Sequence, residues 1–567
     1  LKSSSDYVGT MYMLFKHLFG DFAMDHILVF ISYFAIIIFI FPLEGILFPK
    51  LTANLYKVIQ ETKKFADPYN IKENLKLLNA PGLIVATIIL MAIGKLADIG
   101  KFAIESHLNP TYFKYLRSAM FAGTVNRSVS QYKDIKSAEY LARGMELTRN
   151  ARDLFHYMLG HYIPYLVMTL VYAVYLAYTV PGMWKIILGG SLILIMYSMY
   201  TAVHAMDLAR DREDFFMNNV AEELQSKLGN MMNIVVNNQG DEAIASNDAM
   251  EEISRQKMKN IMDHETVAMG AMDAIMTTMY GAGAFALYGS VSEGIINVET
   301  TISSLLVLGN LTSSLNTVGY GLMYNVAYRL GVITSGREFI NDAFTFSKKT
   351  KGDTVIMPGD IHFRNVTFGY KDDEPVIADY NLDIARGEKV AIMGQSGSGK
   401  TTLMKLLVGL HRPSAGKVTI GNTDVSTVDK IALREYVNYN NQRTAMFNGT
   451  VLDNMRYGHD RSPEDIRTML EKYDLTGVFI NGLDADVGIG GGELSLGMQK
   501  VTMLVRGICR NSHVLVLDEP LAGLDNATRK KVIKLIVDET EKKTLVVITH
   551  DPDILPFMDR IINMDDR

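Results

Sequence analysis

The chain has 567 residues, 48% of them hydrophobic and 21% charged, and a mean hydropathy of +0.10. A net charge of −6 leaves no basic excess for nucleic acid, and the single cysteine, Cys509, excludes an internal disulfide or a cysteine-only metal site. That average is too apolar for most soluble enzymes and too charged for a wholly embedded protein, so it conceals two unlike halves. The chain opens on Leu1 rather than a methionine and closes on MDDR, so both ends are expected to be trimmed and targeting signals are left aside.

Residues 1–25 are apolar with sparse charges and are expected to form an amphipathic elbow helix along the membrane surface. From His26 onward, apolar stretches recur at the length of ~20 helical residues that a hydrocarbon core requires. HILVFISYFAIIIFIFPLEGILF is the first and PGLIVATIILMAIGKLADIGKFAI the second. The third and fourth, around Tyr165 and Ile193, are hinged at Pro181-Gly182. The fifth begins near Ala268 and the sixth near Thr300; Gly, Ser, Thr and Asn dilute both, which suits helices that line a wet cavity or pack closely on neighbours. This gives six spans within residues 26–342.

Connections alternate between short and long. The long link after the second span carries Lys114, Arg117, Arg127, Lys133 and Lys136, which favours the cytoplasm. Lysines also crowd the loop after the first span, so charge alone does not fix the topology. Within the second span, Lys95, Asp98 and Lys101 share one broad helical face, and either a substrate contact or a local ion pair accounts for them.

A polar linker, 343–355, leads into alternating strands and helices over 356–567, the pattern of an α/β domain. There VAIMGQSGSGKTTLMKLLVGL places Gly394, Gly399, Lys400 and Thr401 in the P-loop pattern, after an apolar strand and before an amphipathic helix. Backbone N–H groups from Gly397 to Thr401, with Ser396, Ser398 and Thr402 around them, would cradle phosphate oxygens at a helix N-terminus. Lys400 would reach the terminal phosphates of ATP, and Thr401 would hold Mg²⁺. In HVLVLDEPLAGLD, a buried strand ends at Asp518 and Glu519; Asp518 would bind Mg²⁺ through water and Glu519 would polarise the attacking water.

With these motifs in this order, the sequence resembles the ATP-binding cassette family over the whole chain. The resemblance implies that LSLGM, with Ser495 and Gly497, stands where the family signature LSGGQ stands. It further implies that Gln442 senses Mg²⁺, that Tyr370 stacks on adenine, that Asp525 is an inter-subunit aspartate, and that His550 is the switch histidine on the γ-phosphate. Leu496 and Met498 replace the family's glycine and glutamine, and Ile489 replaces a glutamate. Leu496 is expected to bar a glycine-like backbone and so to weaken the clamp. Arg506 fits the family arginine of the signature helix.

The whole is therefore expected to be a multidomain membrane protein, a six-helix all-α transmembrane domain followed by an α/β P-loop nucleotide-binding domain in the cytoplasm. It looks like a type IV exporter half-transporter, with coupling helices near Ser128–Lys136 and Asn230–Asn238. The family sandwiches ATP between two cassettes, so a dimer is implied. A homodimer is preferred; the consensus-site half of a heterodimer and a non-transporting membrane ATPase or regulator are the alternatives. The lipid bilayer and a small amphipathic, lipid or peptide substrate are the expected partners, with no nucleic acid. Six apolar spans exclude a soluble cassette ATPase.

Overall fold

The computed structural model describes residues 15–64, 79–130, 137–345, 356–371, 374–441 and 445–565. Part of the expected elbow helix, most of the 343–355 linker, the end of the Ser128–Lys136 segment and Gln442 lie outside them. The chain divides into two compact units, one reaching Ser347 without Val125–Lys133, the other comprising Val125–Lys133 and Lys348 onward.

The first unit is helical. Helices α1 (Ile27–Pro42), α2 (Phe48–Lys64), α3 (Asn79–Ser130), α4 (Ser137–Tyr157), α5 (Ile163–Thr179) and α6 (Met183–Phe215) are followed by the short α7 (Ala221–Gly229) and α8 (Met231–Val236), and then by α9 (Gly240–Ser292) and α10 (Val298–Tyr320). Among the described residues, four stretches are long and apolar enough to cross a membrane: Ile27–Gln60, Pro81–Val129, Tyr140–Thr179 and Met183–Gly229. Helices α9 and α10, which carry the expected fifth and sixth spans, fall below that mark because their composition is diluted.

The dilution has a packing cause. The buried face of α9 runs through Ile261, Glu265, Ala268, Met272, Met276, Met279, Gly283 and Leu287, a three-four spacing that makes one continuous stripe. A Cβ at Gly283 would meet Leu308 Cδ2 of α10 at 2.7 Å, so a side chain there would push the two helices apart. Ser303, Ser304 and Ser314 of α10 are buried as well, and Ser314 Oγ donates to the Tyr165 carbonyl of α5 at 2.9 Å. Met272, Met276 and Met279 are likewise interior, so these methionines fill the core instead of offering an adaptable binding surface.

Tight connections follow local chemistry. Pro181-Gly182 turns the chain between α5 and α6, with Gly182 at φ +78° where only glycine is unstrained. Lys95 Nζ pairs with Asp98 Oδ2 at 3.2 Å, the local ion pair rather than a contact reserved for substrate. A π-helical turn, Met158–Tyr162, interrupts the helix between α4 and α5. Around it, Tyr33 Oη lies 2.6 Å from the Leu159 carbonyl and 2.7 Å from Glu105 Oε1, while Lys101 Nζ donates to the Gly160 carbonyl at 3.4 Å. Side chains of α1 and α3 thereby satisfy carbonyls that the widened turn presents.

The second unit is α/β. Strands β1 (Ile361–Phe368), β2 (Ile377–Ile384), β4 (Ala415–Ile420) and β5 (Thr423–Asp424) form an antiparallel sheet in the order β2-β1-β4-β5. Strands β3 (Lys389–Met393), β6 (Val437–Asn440), β7 (Val514–Asp518), β8 (Thr544–Ile548) and β9 (Arg560–Asn563) form a parallel sheet in the order β6-β7-β8-β3-β9. Every residue of β7 and β8 is buried, the apolar run expected of strands covered on both faces. Helices α11 (Lys400–Leu407), α12 (Lys430–Tyr436), α13 (Val451–Arg456), α14 (Leu496–Cys509) and α15 (Asn526–Glu539) surround it.

Candidate nucleotide site

The carboxyl ends of β3 and β7 are the crevice where open α/β sheets bind ligands, and the predicted phosphate residues gather there. After β3 the chain turns through Gly394, Gly397 and Gly399, with φ of +146°, +89° and +94°. A Cβ at Gly394 would meet Ser398 Oγ at 2.8 Å, so the loop needs glycine both for its torsion and for its closeness. Lys400 opens α11 and folds back over the loop. Its Nζ donates to the Gly394 carbonyl at 2.5 Å and the Gln395 carbonyl at 2.8 Å, and lies 3.4 Å from Ser398 Oγ. A concave loop with a helix N-terminus behind it and a cation across it fits a polyphosphate.

Thr401 Oγ1 donates to Asp518 Oδ2 at 3.1 Å, and the same oxygen accepts from Tyr439 Oη at 2.9 Å. A hydroxyl beside a carboxylate at the foot of the loop is an oxygen donor set suited to Mg²⁺. These two residues would hold the ion, which when bound would neutralise charge on the phosphates. Tyr439 escaped the sequence reading; it stands on β6, three residues before Gln442, and no motif marks it.

Glu519 follows Asp518 directly. Its backbone is left-handed, φ +50°, and its N–H donates to the Ile548 carbonyl at 2.9 Å. Burial raises its carboxyl above the usual range, and the nearby His550 opposes that shift. His550 Nε2 stands 3.7 Å from Glu519 Oε1. Tyr370 is exposed and Thr402 buried, the Tyr370 hydroxyl lies 3.2 Å from Thr402 Oγ1, and Lys405 Nζ lies over the Tyr370 ring at 5.9 Å. Asp525 caps α15 by accepting from the Ala527 and Thr528 N–H groups at 2.9 and 3.0 Å. The hydrogen bonds from Thr528 hold its carboxyl below the usual range.

The signature turn corrects one expectation. Ser495 is the N-cap of α14 and accepts the Met498 N–H at 3.3 Å. Leu496 is the first residue of the helix proper and has no left-handed torsion, so the backbone there does not require glycine and leucine does not bar it. Gly497 is helical too, and the first N–H groups of α14 remain available as anion donors. Leucine instead adds an exposed apolar side chain, which lies against Gly523: a Cβ at Gly523 would meet Leu496 Cδ2 at 2.6 Å. Gln499 Nε2, also unmarked by motif, pins the preceding glycine loop through the Gly491 and Leu494 carbonyls at 2.9 and 3.1 Å.

Comparisons with known proteins agree with this geometry. Residues 377–522 match the family described as ABC transporter. The chain is 34% identical over 224 residues to the transport/processing ATP-binding protein ComA of Streptococcus pneumoniae, covering 38% of this chain and 31% of that protein. Over 212 residues it is 34% identical to the mitochondrial iron-sulfur clusters transporter ATM1 of Debaryomyces hansenii, covering 36% and 30%. Over 211 residues it is 30% identical to the ATP-dependent lipid A-core flippase of Saccharophagus degradans, covering 36% of each. The matched segments thus span about a third of these relatives. A solved bacterial Atm1-family ABC exporter with ATP bound superposes with a TM-score of 0.80 at 18% identity, covering 94% of this chain and 93% of that one. Residues 377–522 thus match an ABC transporter domain, and the chain shares the fold of that solved structure.

Proposed function

We propose that the chain is an ATP-driven membrane transporter, an exporter that works as a dimer and alternates between inward- and outward-facing states as two cassettes close on ATP. The observation that carries this reading is the conjunction of an intact phosphate loop, the Thr401–Asp518 pair and Glu519 beside His550. A receptor that only bound nucleotide would not need a half-buried glutamate held just past Asp518 at the end of β7.

In this reading residues 26–342 make six membrane spans and residues 356–567 a cytoplasmic cassette. Lys400 and the loop N–H groups bind the phosphates, Thr401, Asp518 and Gln442 hold Mg²⁺, and Tyr370 supports the base. Glu519 accepts a proton from the attacking water while His550 steadies the γ-phosphate side. Ser495, Gly497 and Asp525 serve the partner's nucleotide. Two copies of this chain are the preferred unit, because Ser495 and the N–H groups of α14 keep the donors that a clamp needs. The exposed, apolar Met232, Val235 and Val236 of α8 suit a coupling segment in the long loop. The proposed cargo is amphipathic, a lipid or drug-like molecule.

The test is ATP turnover by the purified chain in lipid, beside Glu519→Gln. The expected outcome is turnover that falls ~10²- to 10⁴-fold in the variant, the usual worth of a general base, with nucleotide binding retained. A chain that binds ATP, but turns it over only when a related half-transporter is added, would replace the homodimer with the heterodimer. Turnover untouched by the substitution would remove Glu519 from the reaction.

A further inference from the structure

Glu519 adopts a left-handed torsion, φ +50°, that strains a non-glycine residue, so the surrounding structure must hold it. Its N–H is fixed on Ile548. The other side of the residue is harder to hold, because Pro520 follows and supplies no N–H to tie down the next peptide. The Glu519 carbonyl instead meets the Ala522 N–H at 3.5 Å and the ammonium of Lys500, whose Nζ donates to it at 3.4 Å.

Lys500 comes from a different element with a different task. It lies on α14, one turn after Leu496, on the same helical face. Both residues line a cleft of about 310 Å³ with Asp518, Pro520, Asn440 and Gln499. Lys500 is half-buried there; burial lowers its pKa, and the charges of Asp518 and Glu519 oppose that shift. A lysine desolvated at the back of two carboxylates is an unusual thing to keep on a helix whose exposed end already has a role.

We infer that Lys500 is a positioning residue, which holds the Glu519 peptide in its left-handed conformation and ties the signature turn of a subunit to that same subunit's hydrolytic glutamate. The inference rests on the proposed function. In that reading the signature turn grips the nucleotide of the partner subunit, whereas Glu519 acts on the nucleotide of its own. A movement of α14 on gripping one ATP would therefore reach the glutamate serving the other. The two nucleotide sites of a dimer would communicate through a single side chain, within one cassette.

The experiment compares the full chain in lipid with Lys500→Met and Lys500→Arg. Steady-state turnover, affinity for a fluorescent ATP analogue and amide exchange of the Leu521–Asp525 segment are measured on each. Lys500→Met is expected to lower kcat ~10- to 100-fold, the cost of a misplaced catalytic group, while KM and analogue affinity stay within ~2-fold. Exchange in Leu521–Asp525 should rise, and Lys500→Arg, which keeps the cation, should restore most of both signals. Wild-type turnover and exchange in Lys500→Met would overturn the inference, as would arginine failing where methionine fails. Absence of turnover in the wild type, with or without a related half-transporter, would instead overturn the functional reading, and the exchange comparison would still decide the role of Lys500.

Discussion

Arg506 Nε donates to the backbone carbonyl of Asn454 at 2.6 Å, and its Nη2 to the side-chain oxygen of the same residue at 2.7 Å. One guanidinium on α14 thus closes the end of α13, and Phe447 and Tyr457 offer their rings to the cation. Asn454 is buried, and its Nδ2 also donates to the Phe447 carbonyl at 2.8 Å. Asn454→Ala should leave the guanidinium without its side-chain acceptor and destabilise the cassette by ~2–3 kcal/mol. Thermal unfolding checks this, and a melting temperature equal to wild type would show that water replaces the lost acceptor.

Gly523→Ala combines two costs, a positive φ of +81° and a Cβ placed 2.6 Å from Leu496 Cδ2. The double variant Gly523→Ala with Leu496→Ala should recover the steric part and leave only the torsional ~1 kcal/mol. A double-mutant cycle on stability measures the coupling. Strict additivity would mean that Leu496 does not press on the loop.

Cys509 is the only cysteine in the chain, and it is 3% exposed. Burial pushes its thiol up to about 11 from 9.0, which at neutral pH lowers the reactive thiolate ~10²-fold. A maleimide should label the native chain slowly and the denatured chain to one equivalent. Rapid native labelling would show that the core around α14 opens readily.

Lys430 gives a pH signature. Burial, reinforced by Arg412 and Arg434, lowers its pKa to about 8 from 10.5. Between those values the folded cassette has released a proton that the unfolded chain still holds, so this group adds stability as pH rises through the window. Wild type should gain on Lys430→Met in melting temperature from pH 8 to 10. A constant difference between them would mean that Lys430 keeps its ordinary pKa when folded.

The strongest sequence signals were those written by backbone chemistry. Gly394, Gly399 and Lys400 are legible because a turn through left-handed torsions into a helix start permits few residues at those positions, in that order. The α/β alternation was equally readable, since the covered part of a parallel strand such as Val514–Leu517 must be apolar. Tyr439, Asn454 and Lys500 were not legible, because each acts through a partner distant in sequence, and Gln499 was missed because no motif or periodicity marks its local bonds. The expected fifth and sixth spans were faint for a related reason. Their helices are defined by where neighbours come close, as at Gly283 against Leu308, and such contacts dilute the hydropathy that announces a span. At Leu496 the sequence misled, because a glycine in a consensus suggests a torsion that the helix start does not use.

Helix α9 runs 53 residues without a break, and α3 runs 52. At 1.5 Å per residue each is a rod of ~80 Å, more than twice the ~30 Å thickness of a hydrocarbon layer. A rod of that length works as a lever: tilting it by ~5° about its middle swings each end through roughly 3–4 Å, about a third of a helix diameter. Small rotations where such rods pack are therefore amplified at their tips, and a glycine that sets the packing distance also sets the position of the fulcrum.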